Sequence, residues 1–68
     1  LKKYKIDDKI EFIFPIHKIP NRMSGTIVDI NNEVRLPICV KLHHPFEEGM
    51  FTTSYVNIKL NEILCKIK

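Results

Sequence analysis

A single small all-β domain of five strands is the fold this sequence predicts, and three observations carry the prediction. Ile10, Phe12 and Phe14 alternate with Lys9, Glu11 and Ile13, and Ile38, Val40 and Leu42 with Cys39 and Lys41, the period of two that gathers side chains on one face of a strand. Thr26, Ile27, Val28 and Ile30, mostly β-branched, follow Gly25 in a composition that suits a pleated, half-buried surface better than a helix. Turn-forming residues separate these runs, and 68 residues leave room for one core and no second domain.

Taken in order, residues 1–7 are expected to be a flexible lead, with Asp7 and Asp8 turning the chain into the first strand, Lys9–Phe14. Ile10, Phe12 and Phe14 share its core face. Pro15 is expected to stop the strand, and Pro15–Ser24, with two prolines and no helical period, to be a loop. In the next strand Ile27 and Ile30 cannot face the same way on a flat ribbon, so a bulge or sharp coil is expected near Val28 or Asp29. Asn31, Asn32 and Glu33 tolerate turn geometry, and Val34–Leu36 extend the connection to Pro37. Ile38, Val40 and Leu42 then return to the core.

His43–Gly49 reads as a turn made by Pro45 and Gly49, with Phe46 either folded back as a lid on the core or standing outside as a recognition anchor. Met50–Thr53 resume strand character. The tail Ser54–Lys68 carries both periods, because Val56, Ile58 and Leu60 alternate while Val56, Leu60, Ile63, Leu64 and Ile67 would form a helical stripe. The expectation is a short helical turn near Ser54–Asn57 and a closing strand Ile63–Ile67 that pairs with the first strand into a barrel; a C-terminal helix packed on an open sheet is the alternative.

Composition bounds the function. Hydrophobic residues make up 44% and charged residues 28%, as in folded globular proteins, and no stretch resembles a membrane span or a secretory leader, so a soluble, cytoplasmic protein is expected. Cys39 and Cys65 are too few for a disulfide framework and read as small packing residues, with a cross-link between neighbouring strands left open. A metal site drawn from Cys39, His43, His44 and Cys65 lacks CxxC or HxxxH spacing, so no metal or other cofactor is expected. Catalysis is not expected either: no supported carboxylate pair, phosphate loop or nucleophile elbow occurs, and so small a domain lacks a deep cleft for a small-molecule substrate.

The net charge of +3, with a pI near 9.0, is compatible with a polyanion. Lys2, Lys3 and Lys5 surround Tyr4, and Lys66 and Lys68 form one basic patch with them if the termini meet. Tyr4 would offer a stacking surface there, and in a nucleic-acid reading Tyr4 or Tyr55 would stack on bases. His17, Lys18 and Arg22, in the expected loop, form a cationic fringe able to meet phosphates or acidic side chains.

Gly25, Ile27 and Ile30, followed by the Val40-Lys41-Leu42 strand, resemble the Gly-x-hydrophobic-x-x-hydrophobic core of KOW-type and other SH3-like small β-barrels. The resemblance implies a five-stranded SH3-like barrel in which Pro15–Ser24 is the long loop flanking a ligand groove. Such barrels contact RNA, hold peptides or bind other proteins, so fold analogy ranks functions without choosing one. The expected function is a non-catalytic module that binds RNA or DNA through Lys2, Lys3, Tyr4, Lys5, His17, Lys18, Arg22, Phe46 and Tyr55. The alternative is a protein-interaction or inhibitor domain using the loop groove or an edge strand. Oligomeric state and partner identity are left open.

Overall fold

The computed structural model describes residues 3–67; Lys2 and Lys68 of the expected basic patch lie outside them. Five antiparallel strands form one sheet: β1 (Lys9–Ile16), β2 (Ile19–Ile30), β3 (Ile38–Glu48), β4 (Phe51–Ile58) and β5 (Ile63–Ile67). Their order is β4-β3-β2-β1-β5. The all-β expectation holds, and so does the closing strand: β5 pairs with β1 from Lys9↔Ile67 to Phe12↔Ile63. No ladder joins β4 to β5 among the described residues, so the sheet is not closed and has two edges.

Central strand β2 organises the sheet. Its first part pairs with β1, from Ile16↔Ile19 to Lys9↔Thr26, and its last part pairs with β3, from Gly25↔Leu42 to Ile30↔Ile38. The two ladders overlap only at Gly25 and Thr26, where the chain passes from one partner to the other. Val28 is the extra residue between Ile27↔Val40 and Asp29↔Cys39, the bulge that the spacing of Ile27 and Ile30 requires. Ile27 is thereby fully buried while Ile30 packs against the core from its margin.

Three sequence expectations are corrected. Pro15–Ser24 is not a loop: β1 continues to Ile16, only His17 and Lys18 turn, and β2 begins at Ile19. The prolines do not break this hairpin because Pro15 and Pro20 face each other. In a hairpin with a two-residue turn the pair beside the turn is hydrogen-bonded and the next pair is not, so neither proline lacks a needed N–H. His43–Gly49 is likewise largely strand, with the turn at Gly49 and Met50. The His43-His44-Pro45 segment lies in an irregularity of the β3–β4 ladder, between Lys41↔Tyr55 and Phe46↔Thr53. Finally, Ser54–Asn57 is part of β4; the helical turn comes later, as a 3-10 turn at Leu60–Glu62, and no C-terminal helix is present among the described residues. The Lys59 amide donates to Glu62 Oε1 at 2.8 Å and the Glu62 amide to the Lys59 carbonyl at 3.1 Å, which fixes that turn.

The core is made of Ile10 and Phe12 from β1, Ile27 from β2, Ile38, Val40 and Leu42 from β3, and Val56 and Ile58 from β4. All are aliphatic or aromatic, and no polar side chain is buried among the described residues. The lead-in is tied to this body: Asp7 N–H donates to the Ile27 carbonyl at 2.8 Å, and Ile27 N–H to the Asp8 carbonyl at 2.9 Å.

Candidate functional site

Curvature of the sheet brings together side chains that are distant in strand order. Phe14 of β1 and Met23 of β2 line the same depression as Phe46 of β3 and Thr53 and Tyr55 of β4, a space of about 340 Å³. β1 and β4 are separated by two strands in the sheet, so this depression occupies the opening where the sheet curls without closing. Leu36 and Asn57 belong to it and to a second depression, which Val34 and Arg35 share with a third of about 470 Å³ reaching Lys59, Leu60 and Asn61. These three shallow depressions share lining residues and lie in a row along β4, the β2–β3 loop and the 3-10 turn; together they form a trough. Its walls are mainly apolar. Arg35 and Lys59 are its only charged lining residues among those described, and neither takes part in an ion pair there.

The residues singled out in the sequence are distributed over several places. Phe46 is half buried, packs against the core as a lid and also lines the trough. Tyr55 lines the trough too, with 55% of its surface exposed. Tyr4 is half buried against the core, and Lys3 and Lys5 are exposed beside it. Lys66 is paired with Asp8 at 3.4 Å, and Asp8 also accepts the Lys5 amide at 3.0 Å. That amide, helped by Lys66 and against some desolvation, holds the Asp8 carboxyl below its ordinary range.

His17 and Lys18 form the turn of the β1–β2 hairpin with φ of 51° and 66°, in the left-handed region. His17 Nε2 lies 2.5 Å from Glu48 Oε2, so the tip of this hairpin meets the tip of the β3–β4 hairpin. Arg22 is exposed on β2 opposite Ile13. Met50 and Phe51 project from the β3–β4 tip, 99% and 79% exposed.

A second surface lies on the outer face of the sheet. Register places Tyr55, Lys41, Thr26 and Lys9 opposite one another across four adjacent strands. Thr26 Oγ1 is within hydrogen-bond distance of His43 Nε2, at 3.0 Å. Glu11 and Asp29 border this row, which limits its positive character.

Both cysteines are free thiols, Cys39 half buried and Cys65 exposed. Burial, reinforced by nearby Asp29, pushes the Cys39 thiol above its ordinary value. Among the described residues no cluster of histidine, cysteine or carboxylate groups could hold a metal, and no helix is long and apolar enough to cross a membrane.

Sequence reasoning missed Val34, Leu36, Arg35, Lys59 and Leu60 as site members. The available signal was two apolar residues, Val34 and Leu36, inside a connection that had no need of them. No family model, curated protein or solved structure matches the chain.

Proposed function

We propose that the chain is a non-catalytic binding module that holds a segment of another protein in the trough beside β4. The supporting observation is the trough itself: a row of mainly apolar depressions along three elements, with half-exposed Tyr55 and Leu36, and at one end Arg35 and Lys59, which make no ion pair among the described residues. Aromatic and aliphatic side chains in a depression rimmed by polar groups are the composition of the core of a protein-interaction site. The finer architecture we propose is an SH3-like barrel left open at one seam. Its meander order, its β1–β5 pairing and the 3-10 turn before the last strand support that resemblance.

A nucleic-acid ligand is the second reading, favoured by the Tyr55-Lys41-Thr26-Lys9 row. Neighbouring strands are about 4.8 Å apart, so Lys41 and Lys9 would stand roughly 10 Å from each other, compatible with successive or alternate phosphates of one strand. The Lys66–Asp8 ion pair and the contact of His17 with Glu48 weigh against a strong polyanion site, because each engages with a carboxylate a side chain that a basic surface would need free. Affinity capture from nuclease-treated lysate decides between the two, using the native chain and Leu36→Glu. Proteins retained by the native chain and lost with Leu36→Glu are expected. Retention that disappears on nuclease treatment would favour the outer face instead.

A further inference from the structure

We infer that the segment held in the trough is an extended strand added antiparallel to the free edge of β4, with acidic residues at its N-terminal end. The inference rests on the protein-binding reading above and specifies its ligand.

The first argument is the edge. β4 reads Phe-Thr-Thr-Ser-Tyr-Val-Asn-Ile, eight residues with no charge and no proline. Edge strands are usually protected from pairing by lysine, proline, shortness or a covering element. The opposite edge has such protection: β5 is five residues long and carries Lys66, which reaches back to Asp8. β4 has neither lysine nor proline and is eight residues long; its ladder with β3 is irregular opposite Ser54, but its composition of aromatic and β-branched residues favours pairing on either side of that point.

The second argument is position. Thr53, Tyr55, Val56 and Asn57 of β4 all border the trough, so it follows the edge of that strand and a segment hydrogen-bonded to β4 would lie beside it. Alternate side chains of that strand would enter the apolar channel and the others would face solvent. The backbone would supply affinity and the trough would select for apolar side chains at every second position.

The third argument is charge. Arg35 and Lys59 lie at the end of the trough reached after Ile58, the last residue of β4. An antiparallel partner begins where β4 ends, so its N-terminal residues meet these two cations. The Glu62 carboxylate is held at the Lys59 amide and forms no ion pair with either cation, so it lowers the local potential without occupying the two side chains. Carboxylates at the start of the ligand would therefore find both partners.

Three synthetic peptides, each eight residues to match β4, test this by fluorescence anisotropy with the full chain. The first has two glutamates followed by alternating valine and threonine. The second has the same residues in reverse order. The third is the first with alternate amides N-methylated on the pairing side. The first is expected to bind. Reversal should weaken it about fivefold, the scale of exposed ion pairs. Methylation should weaken it at least about tenfold, through the lost backbone hydrogen bonds. Arg35→Glu combined with Lys59→Glu, both exposed and checked for folding by circular dichroism, should abolish the preference for the first peptide over the second. Equal binding of the methylated peptide would overturn strand addition while leaving a protein segment in the trough. No binding by any peptide at millimolar concentration would also overturn it, and the nuclease-treated capture would then judge the broader reading separately. A dimer of the chain alone, found by sedimentation and dissociated by a charge placed at Thr53, would overturn it in favour of a second copy on the same edge.

Discussion

Replacing Gly25 with alanine tests the packing from which the site is built. Gly25 sits where β2 passes from β1 to β3, facing Ile10 on one side and Leu42 on the other. An added Cβ would lie 2.5 Å from the Lys41 carbonyl oxygen and 2.5 Å from Val40 Cγ1, with the Lys41 carbonyl carbon at 3.1 Å. Val40 is fully buried and has little space to move into, and the carbonyl belongs to the backbone of a paired strand. β3 must therefore shift, at an overpacking cost of about 1–3 kcal/mol, with another 1 kcal/mol or so for a weakened ladder bond. Lower chain entropy in the unfolded state offsets about 0.4–1 kcal/mol of that. The net expectation is a loss of about 2–3 kcal/mol, against a total of roughly 3–10 kcal/mol for a chain of this length. The transition temperature should fall by about 10–20 °C. Thermal and urea unfolding followed by far-UV circular dichroism measures this directly. Gly49→Ala is the control: its φ is +59° and nothing lies within 4 Å of the added atom, so only conformational cost applies, about 1 kcal/mol. If Gly25→Ala proved as stable as the native chain, or less damaging than Gly49→Ala, β2 and β3 would not approach as described.

The turn at His17 and Lys18 leads to a change of opposite sign. Both residues occupy left-handed backbone, so His17→Asn with Lys18→Gly should stabilise the chain by about 1–2 kcal/mol in urea unfolding, unless the turn is not of this type. Phe12→Ala removes a fully buried ring and should cost about 3–5 kcal/mol, enough to leave much of the chain unfolded at room temperature by circular dichroism. Asp8 has a lowered folded-state value, so its contribution is present above the ordinary carboxylate value of 3.8 and is lost as pH falls through the lowered one. The difference in transition temperature between the native chain and Asp8→Asn should accordingly be constant near neutrality and vanish in strong acid; a gap that persists there would contradict the assignment. Mass spectrometry after brief alkylation near pH 8 should find Cys65 modified before Cys39, because Cys65 is exposed while burial and Asp29 hold the Cys39 thiol protonated.

Alternation made the strands legible in the sequence wherever one face is buried and the other is not. Ile10 and Phe12, Ile38 and Val40, and Val56 and Ile58 are all core residues on strict two-residue spacing. The Val28 bulge was legible for the same reason, since Ile27 and Ile30 demand it. The β1–β2 hairpin was not: its turn uses His and Lys where glycine or asparagine is usual, and proline pairs with proline at positions that need no donor. Both features mimic a loop in one dimension. Ser54–Asn57 looked helical because spacing alone does not show that Val56 lies across from Val40. Of the site, Phe46 and Tyr55 could be singled out as aromatics beside turns. The trough could not, because it joins β1 to β4 across a curled sheet and that proximity is a property of the fold alone.

Amide hydrogen exchange of β4, measured by NMR with and without the peptide that begins with two glutamates, bears most directly on the trough as the binding surface. Slowed exchange at alternate residues of β4, with chemical-shift changes at Leu36, Tyr55 and Leu60, is the predicted result. Unchanged β4 amides, with shifts concentrated at Lys9, Thr26 and Lys41, would contradict it and move the binding surface to the outer face.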